Sequence, residues 1–260
     1  MEPVLSIEHL SFSIGGQNIL NDISLAVTEG EWFSIIGPNG AGKTTLFRCL
    51  IRIYQGKGSI LLGRRPIARV PQRELARHIS YVPQQTDSAI PFTVEEYVLM
   101  GRYPHLSLFT TFRGEDRQAV REALTLTGIS HLAHRRLWTL SGGERQTAVI
   151  AAALVQGGRI MLLDEPSAFL DPRHARDVHA IIRKINRERG ITILMVTHDI
   201  NSAALHSDRI GVMKAGRFLH QGRPDAVMSN EVLEPVYGTS FTLQPHPDTG
   251  IPVIVPEAAR

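Results

Sequence analysis

The chain carries apolar residues at two different spacings. Trp32-Phe33-Ser34-Ile35-Ile36, Arg159 to Leu163 and Ile191 to Val196 are short, almost unbroken apolar runs. Runs of this length without alternation read as strands buried on both faces, the pattern of a parallel sheet covered by helices. Helix-like stretches accompany them: Thr45-Leu46-Phe47-Arg48-Cys49-Leu50 behind the first, and the mostly apolar Ala148 to Val155 before the second. Strands alternating with helices predict an α/β fold. Nearer the start, Leu10, Phe12 and Ile14 alternate with Ser11 and Ser13, which is the period of a half-buried strand, and Gly15-Gly16 supplies a turn.

The same patterning divides the chain. Up to about residue 80, short β runs and glycine turns surround the first helix, predicting an antiparallel β layer beside the first half of the sheet core. From about 85 to 156 helical patterns dominate. Thr93 and Glu96 form a capping box on a helix reaching Met100, and another helix runs from about Glu115 to Gly128. From 157 to 213 strands and helices alternate again. From about 214 the chain thins into turns, with a short helix near Asn230 to Tyr237 and a proline-rich end. The expectation is one domain: a parallel-sheet core and β subdomain from about 1–84 and 157–213, a helical subdomain at about 85–156, and a C-terminal segment at about 214–260.

The chemistry sits where these elements meet. Gly37-Pro38-Asn39-Gly40-Ala41-Gly42-Lys43-Thr44 fits G-x-x-x-x-G-K-[ST] between a strand-like and a helix-like run, the context that the motif requires. Its glycines let the backbone turn amides inward, and the helix starting near Thr45 adds a partial positive charge. Lys43 can reach the β- and γ-phosphates, and Thr44 can offer its hydroxyl to Mg2+. At the end of the second apolar strand stand Asp164 and Glu165, followed by Pro166. Open α/β sheets place ligand chemistry at such strand ends, so Asp164 is expected to hold Mg2+ and Glu165 to orient and deprotonate an attacking water. The third strand ends in Thr197-His198-Asp199, where His198 fits either a γ-phosphate contact or a helix-cap or core role. Leu140-Ser141-Gly142-Gly143-Glu144 precedes the buried helix pattern, with Ser141 as its N-cap; by itself this is a capped helix with a glycine-rich entrance.

Together these phrases, with Ser167-Ala168-Phe169-Leu170-Asp171, stand in the order found in ATP-binding cassettes. The chain resembles the nucleotide-binding subunit of an ABC transporter over nearly its whole length. The resemblance implies a P-loop NTPase core with an antiparallel β subdomain and an α-helical signature subdomain. It implies that Ser141, Gly142, Gly143 and Glu144 of one subunit close on the γ-phosphate held by Lys43 of another, in a head-to-tail homodimer with two sandwiched ATPs. Tyr81-Val82-Pro83-Gln84 matches the Q-loop, so Gln84 is expected to touch Mg2+ or the lytic water. Glu165 and Gln84 are joined as catalytic residues by His198, the γ-phosphate switch, and Asp171 belongs to the D-loop. Where cassettes usually stack an aromatic ring on adenine, this chain places Ile14, which covers a base by dispersion without the ring-stacking contribution. Phe12 is the neighbouring alternative, and its alternation with Leu10 and Ile14 assigns it to the core.

Composition narrows the partners. The formal net charge is +3 and acids and bases are interspersed, so no block of like charge points to nucleic acid, and Arg64-Arg65 and Arg135-Arg136 read as solvated faces. Cys49 is the only cysteine, which excludes an intrachain disulfide and a cysteine-rich zinc site. No apolar run approaches a membrane span, and Met1-Glu2-Pro3 lacks the basic start of a signal peptide. The chain is therefore expected to work at the cytoplasmic face of the inner membrane as a peripheral subunit, bound to a polytopic permease. Phe92-Thr93-Val94 to Val98-Leu99-Met100-Gly101-Arg102-Tyr103-Pro104-His105, and the tail Gly250 to Pro256, resemble ATPases of importers for iron-siderophores, haem and vitamin B12, which also engage a substrate-binding protein through the complex. Tyr103, Leu106, Leu108 and Phe109 are expected to offer apolar anchors for docking. A soluble assembly-scaffold ATPase of the iron-sulfur type, or an importer ATPase for molybdate or another substrate, is the alternative reading.

Overall fold

The computed structural model describes residues 2–84, 91–107 and 111–256. The chain opens with β1 (Leu5–Ile14), β2 (Gln17–Val27), β3 (Trp32–Ile36), α1 (Lys43–Leu50), β4 (Lys57–Leu62) and β5 (Arg65–Pro66). It continues through α2 (Gln72–Leu75), β6 (Ile79–Val82), α3 (Val94–Met100), α4 (Gly114–Leu126), α5 (Gly142–Val155), β7 (Ile160–Asp164) and α6 (Pro172–Arg189). It ends with β8 (Thr192–Val196), α7 (Ile200–His206), β9 (Arg209–Lys214), β10 (Arg217–Gly222), α8 (Pro224–Val227), α9 (Asn230–Tyr237), β11 (Leu243–Pro245) and β12 (Pro252–Ile254). The chain folds into two compact units, Met1–Val70 with Ile193–Arg260, and Pro71–Thr192.

In the first unit, β3 lies parallel to β8 on one side and β9 on the other, with Ser34 opposite both Met195 and Ile210. All five residues of β3 are buried, which is why its sequence shows no polar alternation. The N-terminal strands form the expected antiparallel layer in the order β2-β1-β4-β5. Cys49 is buried in α1, and burial pushes its thiol up to about 11. The thinning expected after residue 214 is only partial. β10 pairs antiparallel to β9, and β11 pairs with β12. β10 is an edge strand of mostly exposed residues whose Phe218 packs edge-on against Phe33 at 6.3 Å, so one apolar anchor replaces the periodic pattern.

The second unit pairs β6 with β7 in parallel, Ile79 opposite Ile160 through Val82 opposite Leu163. Its helical core joins Val94 and Val98 of α3, Val120 and Leu124 of α4, and Ala148, Ala151 and Val155 of α5. The Thr93 and Glu96 capping box forms as its spacing predicts. Arg135 and Arg136 are not merely solvated: Arg135 donates to the Thr139 carbonyl at 2.8 Å and Arg136 to the Pro91 carbonyl at 2.8 Å, each bracing a loop. Tyr103 is exposed and packs near Phe112, with ring centroids 5.6 Å apart; Leu108 and Phe109 lie outside the described residues.

A buried polar contact joins the chain after α3 to α4. Arg102 Nε donates to Asp116 Oδ1 at 2.8 Å, the Arg113 N–H donates to Asp116 Oδ2 at 2.9 Å, and Asp116 is buried. Burial favours the neutral acid, but the Arg113 N–H and the Arg102 guanidinium outweigh it and hold the carboxyl below the ordinary carboxylate range. A folded-state pKa below the unfolded one contributes stability above about pH 4, and that contribution fades as pH falls through the folded value. Asp116→Ala should therefore cost about 2 kcal/mol at neutral pH, and urea melts should show variant and wild type converging as the pH is lowered towards about 3.

Candidate nucleotide-binding and hydrolysis site

In the first unit, β3 delivers the chain into the phosphate loop. Gly37, Gly40 and Gly42 all take positive φ, at 151°, 77° and 99°. Gly37 has no alternative, because a Cβ there would stand 2.0 Å from the Met213 carbonyl oxygen of β9. The Lys43 ammonium folds back over the loop and donates to the Gly37 and Pro38 carbonyls at 2.7 and 3.1 Å, which leaves the residue 6% exposed. α1 begins at Lys43 with no side-chain cap and no acid in its first turn. Its amides and dipole are thus available to an anion. Asn39 and Gly40 are exposed, Ala41 is buried, and Thr44 and Thr45 are half-buried at the helix entrance. An ammonium, a helix N-terminus and a glycine-lined turn form a donor set that suits a polyphosphate.

The same unit carries the His198 turn. The Thr197 N–H donates to the Ile35 carbonyl at 3.1 Å, which sets this turn beside the end of β3. Asp199, not His198, caps α7, accepting from the Ser202 N–H at 2.9 Å, while His198 is exposed. The helix-cap and core roles are therefore not filled by the histidine. Ile14, the last residue of β1, is 55% exposed. Phe12 is half-buried and stacked on Tyr54, with centroids 4.9 Å apart and planes 11° from parallel, so that face of the ring is already occupied.

In the second unit, β7 ends at Asp164, a residue only 1% exposed whose carboxylate accepts from the Tyr81 hydroxyl at 3.1 Å. The next residue, Glu165, has φ 51°, a left-handed conformation uncommon outside glycine. The turn it makes brings its carboxylate to Gln84, whose Nε2 donates to Glu165 Oε2 at 2.8 Å across 81 residues of chain. Parallel pairing of β6 with β7 makes the two strand ends neighbours, so the pair follows from the sheet register. Of the predicted catalytic residues, Gln84 and Glu165 are directly hydrogen-bonded.

The Leu140 to Glu144 phrase is built around the start of α5. Ser141 Oγ accepts from the Glu144 N–H at 3.3 Å, and Glu144 Oε2 accepts from the Ser141 N–H at 2.8 Å. That backbone N–H, the Ser141 hydroxyl and Arg135 hold the Glu144 carboxyl below the ordinary range against the opposing effect of burial. Ser141 and Gly142 are exposed, while Gly143 is buried so close to His174 that a Cβ would approach the ring to 2.4 Å. His174 is in turn held by Asp171, the N-cap of α6, whose carboxylate accepts from the Arg173 and His174 N–H groups and meets His174 Nδ1 at 2.6 Å. Sequence reasoning missed the box at Ser141 and Glu144, although its S-x-x-E spacing is visible in the chain. It also missed the Asp199 cap, and the Tyr81 contact has no local signal at all.

Comparison with known proteins settles the family. The family described as ABC transporter matches residues 20–168. The chain belongs to the ABC transporter family. It is 38% identical over 250 residues to the ferric enterobactin transport ATP-binding protein FepC of Escherichia coli K12, covering 96% of this chain and 92% of that one. Among solved structures, it is similar to a chain of a transporter described as metal-chelate type, in an inward-facing conformation, with TM-score 0.87 and 26% identity over 99% of this chain and 98% of that one. It is also similar to the ATP-binding cassette MJ0796, solved as a dimer in a post-hydrolysis state bound to ADP and Pi, with TM-score 0.71 and 28% identity over 84% of this chain and 98% of that one. If the Lys43 ammonium pairs with phosphate, Lys43→Ala should weaken ATP binding more than tenfold while leaving the melting midpoint within a few degrees; titration calorimetry and a thermal melt of the same preparation check both halves.

Proposed function

We propose that this ABC ATPase powers uptake of a metal chelate, such as an iron-siderophore, haem or cobalamin, through a polytopic permease. The observation that carries hydrolysis is the Glu165 carboxylate, placed at a strand end and oriented by Gln84. The likeness to a ferric enterobactin transport subunit and to a metal-chelate type transporter supports the importer assignment and its cargo class. Among the described residues no helix is long and apolar enough to cross a membrane, so transport requires a membrane partner. We place the chain at the cytoplasmic face of the inner membrane, with a substrate-binding protein engaging the complex from the other side.

The roles follow from the chemistry of each group. The phosphate-loop amides from Asn39 to Thr45 and the Lys43 ammonium bind the β- and γ-phosphates, with Gly37 and Pro38 shaping the loop, and Ile14 covers the adenine. Ser141, Gly142, Gly143 and Glu144 of a second copy present the N-terminus of α5 to the same γ-phosphate, with the Asp171 segment beside it in the homodimer. The Thr44 hydroxyl, the Gln84 amide oxygen and the Asp164 carboxylate are hard oxygen donors that suit Mg2+. Among the described residues no group of three or more His, Cys, Asp or Glu side chains converges, which fits a cation held by few protein oxygens and by phosphate. When bound, the metal neutralises charge on the phosphates. Glu165 takes a proton from water as the water oxygen attacks the γ-phosphorus, and the bond to the β–γ bridging oxygen breaks to give ADP and phosphate. His198 donates to the γ-phosphate oxygens as their charge redistributes. ATP closes the dimer and product release reopens it, which the permease converts into alternating access.

Glu165→Gln keeps the hydrogen-bonding shape and removes the base, so kcat should fall by about 100-fold or more while ATP accumulates in a closed dimer. Light scattering of the variant with ATP checks the dimer, and wild-type turnover would overturn the assignment of the base. Affinity purification of the full chain from detergent-solubilised membranes should recover a polytopic permease; recovery of soluble scaffold proteins alone would refute the importer.

A further inference from the structure

The C-terminal hairpin is fastened to the helix that follows His198. Asn201, in the first turn of α7, accepts from the Ile254 N–H through Oδ1 at 2.7 Å and donates from Nδ2 to the Ile254 carbonyl at 2.9 Å. One side-chain amide thus pairs with both backbone groups of one residue, as a neighbouring strand would. The hairpin needs such an anchor, because two short strands alone are marginal in water. β11 and β12 are three residues each, and Leu243, Ile251 and Ile254 pack on a cluster that includes Ile200, Ala203 and Ala204 of α7 and Ile36 of β3. A second amide, Asn230, repeats the device on Phe241, accepting from its N–H at 2.8 Å and donating to its carbonyl at 2.9 Å.

The fastening matters because α7 is only seven residues long. A helix of two turns does not hold its own geometry in water; the buried Ala203 and Ala204 seat it on the core, and polar contacts at its start fix the turn that leads into it. Those are the Thr197 N–H on Ile35, the Asp199 cap, and the Asn201 clasp. Each residue of helix advances the chain by about 100°, so a slip of one position at Asn201 would swing the preceding His198 well away. The same C-terminal cluster backs the phosphate loop. Ile36 immediately precedes Gly37, and the Tyr237 hydroxyl of α9 is buried facing the Gly37 N–H without closing a hydrogen bond of normal length.

We infer that Asn201 is a positioning residue for hydrolysis: docked on Ile254, it holds the Thr197–Asp199 turn so that His198 meets the γ-phosphate, and the C-terminal hairpin is a working part of the nucleotide site. This inference rests on the reading of His198 given above. A hairpin that only completes the fold would change stability and leave turnover per folded molecule intact.

Steady-state ATP hydrolysis by the full chain separates the two. Asn201→Ala should lower kcat about tenfold, with KM for ATP within about twofold, in a sample that is folded at the assay temperature by circular dichroism. Ile254→Pro removes the N–H from the other side of the clasp, leaves Asn201 in place, and should show the same loss. The double variant should be no worse than either single one, as expected for two ends of one interaction. Normal kcat in folded samples of both single variants, or losses that multiply in the double variant, would overturn the inference. His198→Ala serves as the control: if it turns over normally, the reading of His198 itself fails, whereas a slow His198→Ala beside a normal Asn201→Ala rejects only the role of Asn201.

Discussion

The burial of β3 between β8 and β9 is the constraint on which the phosphate site depends. Five consecutive buried residues have their backbone groups satisfied only by parallel neighbours on both sides, and those neighbours fix where the strand ends. The turn that follows is then forced past the Met213 carbonyl, where only glycine fits, and the Lys43 ammonium closes the loop from inside. The loop is therefore shaped by the protein's own contacts. Such preorganisation is what lets fixed dipoles favour a phosphate without a reorganisation cost.

The second unit solves a different problem with the same device. Parallel pairing of β6 and β7 sets two strand ends side by side, and the residues just beyond them, Gln84 and Glu165, hydrogen-bond. Glu165 occupies an uncommon backbone conformation to make that contact. Strain of this kind persists where surrounding structure overdetermines it and is concentrated at functional sites. The acid before it, Asp164, is buried with a hydroxyl partner, so adjacent carboxylates occupy distinct environments.

Around these strand ends the helix starts are capped with unusual consistency. Thr93 with Glu96, Ser141 with Glu144, Asp171, and Asp199 each satisfy backbone N–H groups from a side chain. The start of α1, in the phosphate loop, carries no side-chain cap and no acid in its first turn. A helix that is to bind an anion must leave its amides available, so the missing cap is as informative as the caps elsewhere. At the C-terminal end, asparagine amides take over the fastening role that longer strands or helices would fill.

Much of this was legible in the chain because it is encoded locally. Unbroken apolar runs gave β3, β7 and β8; capping residues gave the starts of α3 and α5; and the glycines, Lys43 and Thr44 gave the phosphate loop, since motif and context lie within a few residues. The short helix at Asn230 to Tyr237 was also visible. What the sequence alone left open depends on partners far along the chain. β10 carries no period because its ladder to β9 and the Phe218–Phe33 contact hold a largely exposed edge strand, and Arg135 and Arg136 look like solvated charges until the loops they brace are in place. Local sequence determined which elements form and where the glycine-rich turn and the strand-end acids stand, because helix caps, strand runs and glycine turns are short-range. Only the tertiary structure decided that Gln84 meets Glu165, that Gly37 passes under Met213, and that Asn201 holds Ile254, because those contacts are set by sheet register and packing between residues distant in sequence.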